Sequence, residues 1–103
     1  GDVRLVRRGT QIWSIDKPKS LVVYVKTGSV LVKESSGEEH VVEAGDFCIL
    51  GNVKRKSGIN FEKANEVICN KDSEVKILPI AVFLELISRH DMKAIRFFLP
   101  EVN

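Results

Sequence analysis

From Leu21 to Leu50 the chain repeats one pattern, a short run of β-branched and aromatic residues followed by a glycine. Leu21–Lys26 stops at Thr27-Gly28. Val30–Lys33 returns and stops at a polar tip, Ser35–Glu39, around Gly37. His40–Glu43 stops at Ala44-Gly45-Asp46, and Phe47–Leu50 resumes. Branched and aromatic side chains fit a pleated, half-buried surface. Glycine reaches the positive φ that a tight hairpin needs. The chain is thereby committed to antiparallel strands. In the first run, Leu21, Val23 and Val25 face one way; Val22, Tyr24 and Lys26 face the other.

The flanks extend the same pattern. Val3–Val6 is expected to be a short edge strand, and Arg7–Thr10 a turn at Gly9. Gln11–Ile15 reads as a strand in which Ile12 and Ile15 are out of strict phase around Trp13. Asp16–Ser20, with Pro18, is a loop. Ala64–Asn70 and Glu74–Leu78 read as two further strands joined by the turn Lys71-Asp72-Ser73. Gly51–Lys63 is the longest irregular stretch, and a loop of that length in a compact domain often has a task.

After Ser73 the period changes. Pro79 suits a helix start, because it has no N–H to lose. Val82, Phe83, Leu86, Ile87 and His90 then recur at helical spacing, with Glu85 and Arg89 toward water. Asp91 can cap a second short helix, Met92–Leu99, whose Ile95, Phe98 and Leu99 form an apolar stripe and which Pro100 ends. Neither helix is long enough to stand alone, so both must pack on the strands. The expected fold is mainly β, a small β-roll or jelly-roll barrel (a double-stranded β-helix), with two short C-terminal helices spanning 79–99.

The 103 residues suffice for one modest core, so a single domain is expected over residues 1–103. No run reaches the ~18 apolar residues of a membrane span. The formal charge of +2 does not call for nucleic acid. Cys48 and Cys69 each lie in an apolar run with no metal-like spacing, so both are expected to be reduced core residues, which favours an intracellular, cytoplasmic setting. His40 and His90 belong to no nucleophile motif. With Glu43, His40 makes no cluster of metal ligands. No enzyme, catalytic residue or metal is expected.

Three stretches then carry a family resemblance. Ser20–Val30 (SLVVYVKTGSV) resembles the first strand pair of the cyclic-nucleotide-binding domain family. Glu39–Phe47 (EHVVEAGDF) resembles its second glycine turn. Asp72–Val75 followed by Ile80–Leu99 resembles its last strand and C-terminal helix, with Asp91 where proline is usual. The resemblance runs over almost the whole chain. It implies a regulatory module of a larger signalling protein, channel or transcription regulator, cut from a longer chain, whose C-terminal helix responds to cyclic AMP or cyclic GMP.

The ligand cassette departs from that pattern. Where the family carries a glutamate for the ribose hydroxyl, this chain has Leu50, which accepts no hydrogen bond. Where the family carries an arginine for the cyclic phosphate, it has Lys63, which cannot supply the planar two-donor fork. Glu66 adds a negative charge nearby. The ligand-binding residues implied, if a nucleotide binds at all, are Leu50, Gly51, Asn52, Lys63, Ala64 and Asn65. Two imperfect contacts of about 1.5–3 kcal/mol each would cost roughly a hundredfold or more in affinity. The expected function is therefore a non-enzymatic protein-interaction module without tight nucleotide binding and without a cofactor. The alternative is a working sensor of cyclic AMP or cyclic GMP that relies on Lys63 and backbone donors.

The expected partner is a protein or a neighbouring domain of the same chain. No nucleic acid would be bound through this domain, and membrane contact would come only through a parent protein. The candidate interaction surface is the basic cluster Lys54, Arg55 and Lys56, together with Phe97 and Phe98.

Overall fold

A computed structural model describes residues 3–16, 19–51 and 62–89. The strands are β1 (Val3–Val6), β2 (Gln11–Ser14), β3 (Leu21–Thr27), β4 (Ser29–Glu34), β5 (Glu39–Glu43), β6 (Phe47–Leu50), β7 (Ala64–Cys69) and β8 (Ser73–Pro79). One helix, α1 (Ile80–Ser88), follows. The strands form two antiparallel four-stranded sheets, sheet A in the order β1-β8-β3-β6 and sheet B in the order β2-β7-β4-β5. This is the expected β-roll. The expected second helix, Met92–Leu99, lies outside the described residues.

The alternation in β3 has a clear outcome. Val23 and Val25, with Leu21 packed against them, point between the sheets and join Trp13, Val30, Val32, Val42, Cys48, Leu50, Ala64, Val67 and Val75. Val22 and Tyr24 point to the outer face of sheet A and form a second cluster with Leu78 and Phe83. Both faces of β3 are thus dry, which explains the unbroken apolar run Leu21–Val25. Lys26 and Thr27 emerge into solvent at its end.

Four details differ from the sequence expectation, one of them in connectivity: Val30–Lys33, expected to return across Gly28 as the partner of Leu21–Lys26, pairs with β5 and β7 in sheet B, so Gly28 turns a corner between the sheets and not a hairpin. The other three are local. First, the helix starts at Ile80, and Pro79 closes β8 opposite Leu21. Proline is tolerated there because it ends the ladder. Second, Val82, expected on the apolar face, is 41% exposed. The face that packs comprises Ile80, Phe83 and Leu86. Glu85 and Arg89 face water as expected and form an i,i+4 pair at 2.6 Å. Third, the phase problem in β2 is a register shift between Gln11 and Trp13. The irregularity lets Trp13 turn inward to 2% exposure, and its Nε1–H donates to the Lys19 carbonyl at 2.7 Å.

The corner where β3 passes into β4 is held tightly. Gly28 has φ of +85°, and a Cβ there would overlap Ser73 Oγ and come within 2.8 Å of the Asp72 carbonyl oxygen. Ser73 Oγ accepts the Ser29 N–H at 3.0 Å and donates to the Lys71 carbonyl at 2.6 Å. Asn70 adds its backbone N–H to the Ser29 carbonyl at 3.0 Å and its side-chain amide to Ser29 Oγ at 3.1 Å. Ser29 and Ser73 are both buried, and partners of this kind offset the cost of burying hydroxyls.

Cys48 and Cys69 are free and buried, as expected. Burial, and secondarily the Glu62 carboxylate, push the Cys48 thiol up to about 12 from 9.0.

Two predictions follow from this packing. Gly28→Ala should destabilise the fold by about 2 kcal/mol or more, since strain and overlap act together. Gly37→Ala, at φ +93° in open space, should cost only about 1 kcal/mol. Equal denaturant midpoints for the two variants would contradict this. Separately, the folded state keeps the Cys48 proton between pH 9.0 and about 12 while the unfolded chain loses it. The associated stability is complete below pH 9.0 and declines above it, with a slope approaching about 1.4 kcal/mol per pH unit. Rapid alkylation of Cys48 in the native protein at neutral pH would be inconsistent with this burial.

Candidate functional site

The site implied by the resemblance lies where β6 ends and β7 begins. β6 is fixed by its ladder to β3, which pairs Leu21 with Leu50 and Val23 with Cys48. β7 is fixed between β2 and β4, with Val32 opposite Val67 and Glu34 opposite Ala64 across a register shift. The two strand ends are tied directly, because the Glu62 N–H donates to the Ile49 carbonyl at 2.8 Å.

The implied contact residues do not share one surface. Leu50 and Ala64 are core residues, at 0% and 3% exposure, packed in the same inter-sheet cluster. Gly51 is half-buried just past β6. Lys63 and Asn65 are exposed. The Lys63 carbonyl accepts the Ser35 N–H at 3.1 Å, and Asn65 Oδ1 accepts the Ser35 hydroxyl at 3.0 Å. Both therefore support the β4–β5 hairpin tip. Asn52 lies outside the described residues, as do Lys54, Arg55, Lys56, Phe97 and Phe98. Glu66, expected to lie near Lys63, reaches toward sheet B instead. It accepts the Gln11 side-chain amide at 2.6 Å and stands 3.9 Å from Lys33 Nζ.

One arrangement was not foreseen from sequence. His40 on β5 stands opposite Val32. Its Nδ1 lies 3.2 Å from Glu34 Oε2 and its Nε2 lies 3.8 Å from Glu62 Oε2. The Nδ1 contact is within hydrogen-bonding distance, and the Nε2 contact is a longer approach. The pairing of Val32 with His40 was available from the hairpin around Gly37. The approach of Glu62 was not, because it depends on how β7 enters its sheet. Among the described residues, Glu34 and Glu62 thus set two carboxylates about one imidazole at this end of the roll.

A cleft of about 480 Å³ lies away from this junction, lined by Leu5, Val6, Arg7, Thr27, Asp72, Ser73 and Glu74. No group of three or more His, Cys, Asp or Glu side chains among the described residues is placed to hold a metal ion. No helix among them is long and apolar enough to cross a membrane.

The Leu50 environment can be tested directly. Leu50→Glu should lower the unfolding free energy by roughly 3 kcal/mol or more, because it places an unpaired carboxylate in the core. Leu50→Met should cost less than about 1.5 kcal/mol. A Leu50→Glu protein as stable as its parent in denaturant titration would show that this position has access to water.

No protein-family model matches the chain. No curated protein matches it either. Solved structures do. CooA from Carboxydothermus hydrogenoformans is 16% identical with a TM-score of 0.63, over 93% of this chain and 41% of CooA. The c-di-GMP-responsive global regulator CLP of Xanthomonas campestris is 16% identical with a TM-score of 0.61, over 96% of this chain and 50% of CLP. A cyclic nucleotide-binding-like protein from Brucella abortus is 13% identical with a TM-score of 0.53, over 84% of this chain and 75% of that protein. The chain thus spans about half or less of the two regulators' length. Likeness at this level of identity establishes architecture, and the architecture is that of a cyclic-nucleotide-binding-like β-roll.

Proposed function

We propose that this β-roll is a non-enzymatic regulatory module of a larger cytoplasmic protein, which works through contact with a protein or a neighbouring domain and does not bind cyclic nucleotides tightly. The observation that carries the reading is the state of Leu50. The resemblance assigns that position to the ribose-binding glutamate, yet its side chain is fully buried among Trp13, Val67 and Ala64. It offers no acceptor to a ribose and no space beside one.

The electrostatics point the same way. A cyclic phosphate needs concentrated positive charge or aligned N–H donors. Lys63 is exposed, and a solvated ammonium gives a weak, screened attraction. Glu62, its immediate neighbour, lies beside His40 and Glu34 at the same end of the roll. Among the described residues next to Leu50 and Ala64, an entering phosphate would meet Glu62 as well as Lys63. One regulator with this architecture, CLP of Xanthomonas campestris, is named as c-di-GMP-responsive and as linking cell-cell signalling to virulence gene expression, which supports a signalling role for the module.

Titration calorimetry with cyclic AMP and cyclic GMP tests the proposal. The expected result is no saturable heat below ~100 µM ligand, and a dissociation constant near ~1 µM would overturn it. If binding of that strength appeared, Lys63→Glu would abolish it in the sensor alternative and leave it unchanged if Lys63 has no role.

A further inference from the structure

We propose that the free edge of β1 is a docking site for an extended, acidic segment of a partner protein, which adds to sheet A as a further strand. This deepens the interaction reading by naming the surface and the class of partner. It does not depend on whether a nucleotide binds.

β1 pairs with β8 on one side, from Val3 opposite Lys76 to Val6 opposite Ser73. It is the terminal strand of its sheet among the described residues. In an antiparallel ladder alternate backbone groups point away from the partner strand. β1 therefore presents N–H and C=O groups outward with no strand to meet them among the described residues. Natural edge strands are usually protected by inward charges, prolines or bulges. β1 has no proline or bulge along Val3–Val6, its pairing with β8 is regular, and its one charge is the exposed Arg4, opposite Val75. Leu5 is 83% exposed and Val3 is 38% exposed, on the same face of the strand. Leu5 also lines the 480 Å³ cleft between the end of β1 and Thr27 and Asp72–Glu74, so apolar surface continues from the edge onto the face of the sheet.

Charge decides which kind of strand. Arg4, Arg7 and Arg8 lie on or beside β1, are exposed, and form no ion pair among the described residues. The acidic groups at the cleft are engaged within the fold. Asp72 Oδ1 accepts the Arg8 N–H at 2.8 Å, and Glu74 Oε1 accepts the Thr27 hydroxyl at 3.0 Å. A second copy of this chain is a poor occupant, because a symmetric β1–β1 pair would set the arginines of one copy against those of the other, and like charges across a ladder repel. An acidic strand with alternating apolar residues satisfies both features. Its backbone completes the ladder, its apolar residues cover Leu5, and its carboxylates meet the arginines.

The test uses the whole chain and a short synthetic peptide alternating valine and glutamate. Amide shifts of the chain should move at Val3–Val6 on addition of peptide up to ~1 mM. The affinity should fall at least about tenfold when salt is raised from roughly 0.05 to 0.5 M. It should fall as much in the triple variant Arg4→Glu, Arg7→Glu, Arg8→Glu, with the thermal midpoint unchanged because these side chains are exposed. Leu5→Thr, which keeps strand propensity, should weaken binding without loss of fold. Shifts that are absent or lie away from β1 would overturn the proposal. So would equal binding of a valine–lysine peptide, or sedimentation showing self-association that Leu5→Thr abolishes. Repeating the titration with cyclic AMP present separates this result from the nucleotide question, since the proposal requires the peptide affinity to be the same.

Discussion

The roll depends on two corners that must close together. The chain leaves sheet A for sheet B at Gly28, and returns from sheet B to sheet A through residues 70–72. These corners lie against each other. Ser73 Oγ receives the Ser29 N–H on one side and reaches the Lys71 carbonyl on the other. The absence of a side chain at Gly28 is what allows Ser73 so close. Neither corner is a hairpin, because the strands on either side of it belong to different sheets. Locked together, they fix the register of β3 on β8 and of β4 on β7, and so bring the inward faces of the two sheets into contact.

That closure decides what the interior can hold. Side chains from both sheets fill the space between them, and Trp13, Leu50 and Ala64 occupy the part nearest the β6–β7 junction. A ligand pocket in such a roll requires polar groups to be held in the interior with partners waiting for them. Here the polar groups at that end have turned to one another. Lys63 and Asn65 support the hairpin tip through Ser35, and His40 faces Glu34 and Glu62. The polar side chains at this end go into cohesion of the fold.

Much of the architecture was legible because it rests on local signals. The glycine turns at 28, 37 and 45 all adopt positive φ, and the period-2 pattern of β3 assigned both of its faces correctly. Errors arose where tertiary packing chose among locally equivalent options. Val82 and Ile80 are both apolar and both lie in the first turn of α1. Only the position of Leu78 and Tyr24 beneath the helix decides that Ile80 packs and Val82 does not. Ile12 and Ile15 looked out of phase around Trp13 because a register shift has no sequence signature without a glycine. The candidate site was legible in identity and not in arrangement. Leu50 could be recognised as unable to accept a hydrogen bond, but its burial and the separation of Lys63 from the core are properties of strand pairing. The approach of Glu62 to His40 joins a residue just before β7 to one on β5, and no periodicity carries that information.

One feature of β2 also has a practical meaning. The chain has a single tryptophan, and the bulge turns it into the apolar interior with its ring N–H fixed on the Lys19 carbonyl. That indole is a native optical label. Its emission will be blue-shifted while the two sheets are joined and will move to the red as soon as water reaches between them. Separation of the layers can therefore be followed in solution without attaching a dye.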